Sequence, residues 1–259
     1  MKQSRSPVRT WRLTALDFRT LWEAAGRDVL PYPLHHRHTD VETQAEILRL
    51  RGKAAENLMA EFDSDLDHAM AALLAPHARV EVAGASRGRR TIRAHGGMRD
   101  TYAAFAVQSP GEETDPGDIT LYLLAPDTLA GAVLSTLPRA SAGSGREIRV
   151  TAAELAAPPA DVRDSWNPTP REQLETFLAR PTDTLTHIGV YAHSSVDNRH
   201  TEGRDDFQVH DITGDGRYVF YGETTFIAKP ATTTRIHSTL ATILSTTAAK
   251  ARAGTYRAP

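Results

Sequence analysis

The feature that most constrains this chain is an internal repetition of punctuation and pattern about 105 residues apart. Leu74-Ala75-Pro76 precedes one run of alternating residues, and Leu178-Ala179-Arg180-Pro181 precedes another. Ala125-Pro126 closes the first run and Lys229-Pro230 the second, an offset of 104 residues. Between these marks the order is the same. Val80–Ala83, Ala103–Gln108 and Ile119–Leu124 read as strands, and Pro126-Asp127 opens a helix. In the later copy Thr186–His193, Phe207–Ile212, Tyr218–Tyr221 and Thr225–Lys229 read as strands, again followed by Pro and a helical pattern. A repeat this long is a domain half, since solenoid repeats run about 20–50 residues. The fold class expected is α+β. Two quasi-symmetric halves each carry an antiparallel sheet with flanking helices and share a central sheet. Val80–Leu137 is expected to overlie Leu185–Ala241. The halves are read as 1–140 and 169–259, joined by a connector over 141–168. Ser141–Gly145 is expected to be flexible, and Pro158-Pro159 and Pro168 break regular structure.

Helices are announced by their caps. Thr14-Ala15-Leu16-Asp17 starts one, with Phe18, Leu21, Trp22 and Ala25 at helical spacing and Gly26 as the stop. A longer helix is expected over Glu42–Phe62, with Ala55, Leu58, Met59 and Phe62 on one stripe, and Gly52 weakens its middle by about 1 kcal/mol relative to Ala. Ser64 is read as the cap of a third, with Leu66, Met70, Leu73 and Leu74 inward. Thr169-Pro170-Arg171-Glu172 is a capping box with Pro at the first helical position, followed by Leu174, Phe177 and Leu178. Ile148–Leu155 adds one short element. The last helix buries Ile236, Leu240, Ile243 and Leu244, and Ala253–Pro259 is expected to be a loose tail.

Composition narrows the class. The 259 residues are 40% hydrophobic and 24% charged with a net charge of −2, which suits a packed globular domain and gives no bulk field for nucleic acid or an anionic membrane. Cysteine is absent, which removes disulfides, thiolate metal sites and cysteine nucleophiles. Met1–Thr14 lacks the apolar core of a signal peptide and no 18-residue apolar run exists. A cytoplasmic address without membrane insertion is expected.

Several local patterns bear on chemistry. His35-His36-Arg37-His38, with Asp40 and Glu42, holds metal-ligand types, but Pro31 and Pro33 make the stretch a loop without the helical spacing that would converge them. His187, His193, His200 and His210 crowd the second sheet, too far apart along their strands for one metal. Asp63, Asp65 and Asp67 open like a calcium loop but lack its Gly and closing Glu, and read as a charged helix start. Gly84-Ala85-Ser86-Arg87-Gly88 matches a nucleophile elbow, which requires a helix next. Here Arg89–Ala94 alternates, so a hairpin arm is expected, closed by Gly96-Gly97. Ser194 and Ser195 stand near His193 and Asp197, yet one short loop does not build a triad. No phosphate-cradling glycine loop is present, and no cofactor is expected. Arg87, Arg89, Arg90, Arg93 and Arg99 line the hairpin and could meet an acidic partner.

The ordered set Leu13-Thr14, Leu21-Trp22, Gly26, Leu30-Pro31, then Leu73-Leu74-Ala75-Pro76 before Val80-Glu81-Val82, then Phe177–Pro181 before Ile188-Gly189-Val190-Tyr191-Ala192, resembles the EspG family associated with type VII (ESX) secretion. The resemblance spans about Val8–Leu244. It implies a cytosolic, non-enzymatic chaperone that binds the helical tip of PPE-like secretion substrates, usually delivered with a PE partner, and keeps them soluble for export. A non-catalytic adaptor subunit of the secretion apparatus is the alternative. A hydrolase or metal-dependent enzyme using Ser86 or the histidine loop is a third. On strand parity, Ile188, Val190, Ala192, Phe207 and Val209 face inward. The partner face expected is therefore the uncovered sheet side, through Tyr191, His193, Gln208 and His210, joined by Arg87, Arg89, Arg90 and Arg99. Oligomeric state is left open between monomer and dimer.

Overall fold

A computed structural model describes residues 9–37, 43–87, 91–111, 117–157, 168–195 and 201–258. Arg89, Arg90, His38, Asp40, Glu42, Pro158, Pro159, Asp197 and His200 lie outside the described residues.

The strands are β1 (Arg9–Leu13), β2 (Ala78–Ser86), β3 (Thr91–Arg99), β4 (Tyr102–Gln108), β5 (Ile119–Leu124), β6 (Ile148–Thr151), β7 (Thr182–Ala192), β8 (Asp205–Ile212), β9 (Gly216–Tyr221) and β10 (Thr225–Pro230). The helices are α1 (Ala15–Ala24), α2 (Gln44–Glu61), α3 (Ser64–Leu74), α4 (Leu129–Ser135), α5 (Ala152–Ala156), α6 (Pro170–Leu178) and α7 (Thr233–Arg252). The ten strands form one sheet in the order β1-β5-β4-β3-β2-β7-β8-β9-β10-β6, and each pair of neighbours is antiparallel. β2 and β7 meet at the centre, with Val82 opposite Ile188. Counted outward from that seam, each side is a four-strand meander finished by the strand that precedes it in the chain. β6 and α5 fall inside 141–168, so this span contributes the far edge strand of the sheet.

The alternation of each strand decides what each sheet face packs against. Val80, Val82, Ala94, Phe105, Ile188, Val190, Phe207, Val209 and Val219 point to one face, under α4 and α7, and form the largest core with Leu129, Val133, Ile236, Leu240 and Leu244. Ala104, Ala106, Leu121 and Leu123 point the other way into a second core with Trp11, Phe18, Leu21, Trp22, Leu66, Met70 and Leu73. On that same face Ile212, Tyr218, Ala228 and Val150 pack with Leu174 and Phe177 of α6. Both faces therefore carry helices, a correction to the expectation of one bare side. Among the described residues, the middle of the second face, between α3 and α6, is left open.

Local chemistry explains the element ends. Thr14 with Asp17, Thr151 with Glu154 and Thr169 with Glu172 are reciprocal capping boxes, which satisfy first-turn N–H groups otherwise left without partners. α3 is capped by Asp63, one residue before the Ser64 expected. Its carboxylate accepts from Asp65 N and Leu66 N. The backbone bond from Leu66, with the smaller pull of Arg9, holds the Asp63 carboxyl below its ordinary range. Gly96 and Gly97 do not end the hairpin arm but sit inside β3. A Cβ at Gly97 would run into the Ala72 carbonyl of α3, so the glycine is what lets the helix lie directly on the strand.

Two more expectations change. Ser141–Gly145 is pinned: Ala142 bridges Arg217, Ser144 donates N–H and Oγ–H to Asp215, and Gly145 N donates to Tyr218 Oη at 2.8 Å. The tail also folds back, with Arg257 N donating to Glu202 and Tyr256 packed against Gly203. Composition reads a Ser/Gly run as flexible, but here glycine is what lets the backbone pass over the Tyr218 ring.

Candidate functional site

The open middle of the second face is a trough whose floor follows from pairing. Arg93, Ala83, His187, Gln208 and Phe220 are successive partners across β3, β2, β7, β8 and β9. The next row toward the hairpin tip is Thr91, Ala85 and Leu185, with His210 beyond. These side chains have the parity opposite to Val82, Ile188 and Val209, so they stand on the face away from α7. Leu185 is 44% exposed, a large apolar side chain on the trough floor. Arg93 borders a concavity shared with Tyr32, Leu34 and His35 on the α1 side. The other flank is α6, ending at the exposed Leu178.

Toward the opposite end the floor is polar and closed. Arg79 and Glu81 are almost fully buried and joined at 2.8 Å, and Arg79 Nη1 donates to the His193 carbonyl at 2.9 Å. His95 Nδ1 donates to Tyr32 O at 2.8 Å. Burial, assisted by Arg79 and opposed by Glu81, keeps the His95 pKa below its usual value. His187 donates to Asp206, which also accepts two bonds from Arg204. The Arg204 bond, then the His187 bond, hold Asp206 below the ordinary carboxylate range against the opposing cost of burial.

The predicted partner residues are not brought together as expected. Parity is as read, but Tyr191 is only 8% exposed. Its ring lies against Gly189, which has no Cβ to obstruct it, and the Arg79 guanidinium covers it at 4.4 Å. His210 is likewise buried, its ring 5.6 Å from Phe177 of α6 and 6.1 Å from Phe220, and burial lowers its pKa. Neither offers an exposed anchor, because their side of the sheet is covered where they stand. Gln208 is half-buried on the floor and accepts from His210 at 2.9 Å. Arg87 lies at the hairpin tip, 3.5 Å from Asp183, while Arg99 lies at the far end of β3 beside Asp100. They do not converge. His193 is at that far end too, donating to Tyr256 O.

The enzymatic alternatives find little geometry. Ser86 is the last residue of β2, paired with Thr184, and the chain continues into β3 rather than a helix. His95, Ser194 and Ser195 border a cavity of about 150 Å³, below the roughly 300–1,000 Å³ typical of ligand sites. Among the described residues no group of three or more His, Asp or Glu is placed to hold a metal, and no helix is long and apolar enough to cross a membrane.

The profile of the EspG family matches residues 14–242. The chain belongs to the EspG family. Its fold is also that of a solved structure from Mycobacterium tuberculosis, the type VII secretion system chaperone EspG5 in complex with a PE25–PPE41 dimer. The two share 14% sequence identity at a TM-score of 0.56, over 92% of this chain and 96% of EspG5. No sequence of a curated protein matches the chain. Among the described residues the trough is where the central sheet is not covered by the chain's own helices.

What sequence reading missed is the interior charge. Arg79, Glu81, Asp211 and Arg217 sit on strands and are buried. The available signal was a charged residue inside a run whose neighbours are strongly apolar, as in Arg79-Val80-Glu81-Val82.

Proposed function

We propose that the chain is a non-catalytic secretion chaperone of a type VII system, acting in the cytosol. Its client is the helical tip of a PPE-like protein carried by its PE partner. The observation that carries this is membership of the EspG family over most of the chain, together with the fold shared with a chaperone captured on a PE–PPE dimer. The halves 1–140 and 169–259 act as one body through the β2–β7 seam. The client face is the trough, with Leu185 as apolar anchor, His187 and Gln208 as polar floor and Arg93 with Tyr32 on its rim. An exposed apolar tip aggregates in water, and shielding it on a complementary surface removes that drive. Arg87 and Arg99 flank the two ends and act on encounter rate more than on final affinity.

The test is co-expression with a PE–PPE pair. The reading predicts a soluble complex that holds the three proteins in equal number, and an insoluble PPE partner when the chaperone is omitted. A PPE partner equally soluble without the chain, and no complex, would overturn it.

A further inference from the structure

α2 carries two apolar stripes and uses one. Ala54 and Leu58 are buried against the rest of the fold, where α2 packs on α1. About 100° round the helix lie Leu48, Gly52, Ala55, Met59 and Phe62, and every one of them is exposed. Their spacing of four, three, four and three residues is the heptad seam of a helix that meets another helix. Met59 is 82% exposed, a level of solvent contact unusual for an apolar residue on such a seam. Gly52 is the second observation. A Cβ there would meet nothing within 4 Å, so among the described residues nothing requires glycine at a mid-helix position where it costs about 1 kcal/mol relative to Ala. A glycine next to Ala55 on the seam makes sense where another backbone approaches closely.

The charges beside the seam say what that backbone is. Arg49 flanks its first half and Glu56 its second, on the same side of the seam; both are exposed. A flank basic in its first half and acidic in its second complements itself when the helix is paired antiparallel. Arg51 takes no part, being tied to Glu23 of α1.

We propose that α2 is the seam of a reversible homodimer, in which α2 of one copy lies antiparallel on α2 of a second. Gly52 and Ala55 form the close crossing, Leu48, Met59 and Phe62 pack to either side, and Arg49 of each copy faces Glu56 of the other. One helix pair is a small contact, in the range of interfaces that assemble transiently. The dimer is therefore concentration-dependent.

Sedimentation equilibrium of the purified full chain, across two orders of magnitude in concentration, reads this directly. The expected result is a mass rising from one chain to twice that value. Met59→Glu should raise the dissociation constant about tenfold or more. Arg49→Glu and Glu56→Arg should each weaken the dimer, and the double exchange should restore it, since it rebuilds both pairs in a two-fold interface. All of these positions are exposed, so unchanged circular dichroism is expected throughout. A single-chain mass at every concentration overturns the proposal. So does a dimer unaffected by Met59→Glu. A Met59→Glu variant that loses the PE–PPE client while its self-association is unchanged also overturns it, and assigns the stripe to the client instead.

Discussion

Arg217 and Asp211 show how single residues hold this sheet in place. They are cross-strand partners on β9 and β8, joined by two bonds of 2.7 and 2.8 Å, with Arg217 only 1% exposed. Arg217 Nη2 also donates to the Pro138 carbonyl and Nη1 reaches Thr233, so one guanidinium ties the end of α4 to the start of α7. Breaking a buried pair strands the remaining charge. Asp211→Ala should cost about 3–5 kcal/mol, measured by urea unfolding. A loss below 1 kcal/mol would mean that water reaches Arg217 in the fold. His95 sets an acid limit in the same way. Burial holds its folded pKa below about 6.5, its value when unfolded. The unfolded chain thus binds the proton first as pH falls. This contribution is complete above about pH 6.5 and declines below it, and His210 adds in the same direction. The urea midpoint should drop between pH 7.5 and 5.5, and His95→Gln should shrink that drop. A midpoint constant over that range contradicts the assignment. At more acid pH Asp215 follows. It accepts from Tyr218, Ser144 and Arg180, which hold its pKa far below the carboxylate norm. Its stabilisation is present above the unfolded carboxylate pKa, about 3.9, and is lost as pH falls through the folded one. None of these three networks could be read from the sequence, because a strand pattern reports parity but not which charged side chains find partners inside.

At the scale of elements, caps were the most legible feature. Thr14 and Thr169, read as caps, form boxes because a hydroxyl and a carboxylate three residues apart are enough to satisfy two N–H groups, and Thr151 forms a third that was not read. Thr169→Ala should cost about 1 kcal/mol, read as a lower thermal midpoint, with the trough loosened beside α6. No change would mean that Phe177 and Leu174 alone fix the helix. Elements whose role depends on what lies beyond them were less legible. Ala55, Leu58, Met59 and Phe62 read as one buried stripe, yet only Leu58 enters the core. Two adjacent apolar stripes 100° apart cannot be separated without knowing where α1 packs. Leu178 likewise reads as core with Leu174 and Phe177 but is exposed at the end of α6. Ser141–Gly145 reads as a linker because glycine is common in linkers, and the Tyr218 ring that needs those glycines is more than seventy residues away.

For the whole molecule, the repeated order of strands was legible because alternation and proline punctuation survive where side-chain identity does not. It led to a ten-strand sheet with a symmetric strand order about β2 and β7. Which face each strand side chain takes was legible, and how much of it is covered was not. Parity correctly put Tyr191, Gln208 and His210 on the face away from α7, but Arg79 and α6 cover Tyr191 and His210, which leaves Leu185 exposed there and His187 and Gln208 half-buried. The most direct measurement of the central claim is the affinity of purified variants for the purified PE–PPE pair by isothermal titration. Leu185→Asp places a charge on the trough floor at an exposed position. It should weaken binding at least tenfold, as loss of a hot spot worth about 2 kcal/mol requires, with an unchanged thermal midpoint. Thr239→Glu, exposed on α7 and so on the opposite face, should bind like the parent. Wild-type affinity for Leu185→Asp together with lost binding for Thr239→Glu would contradict the account and place the client on the α4–α7 face.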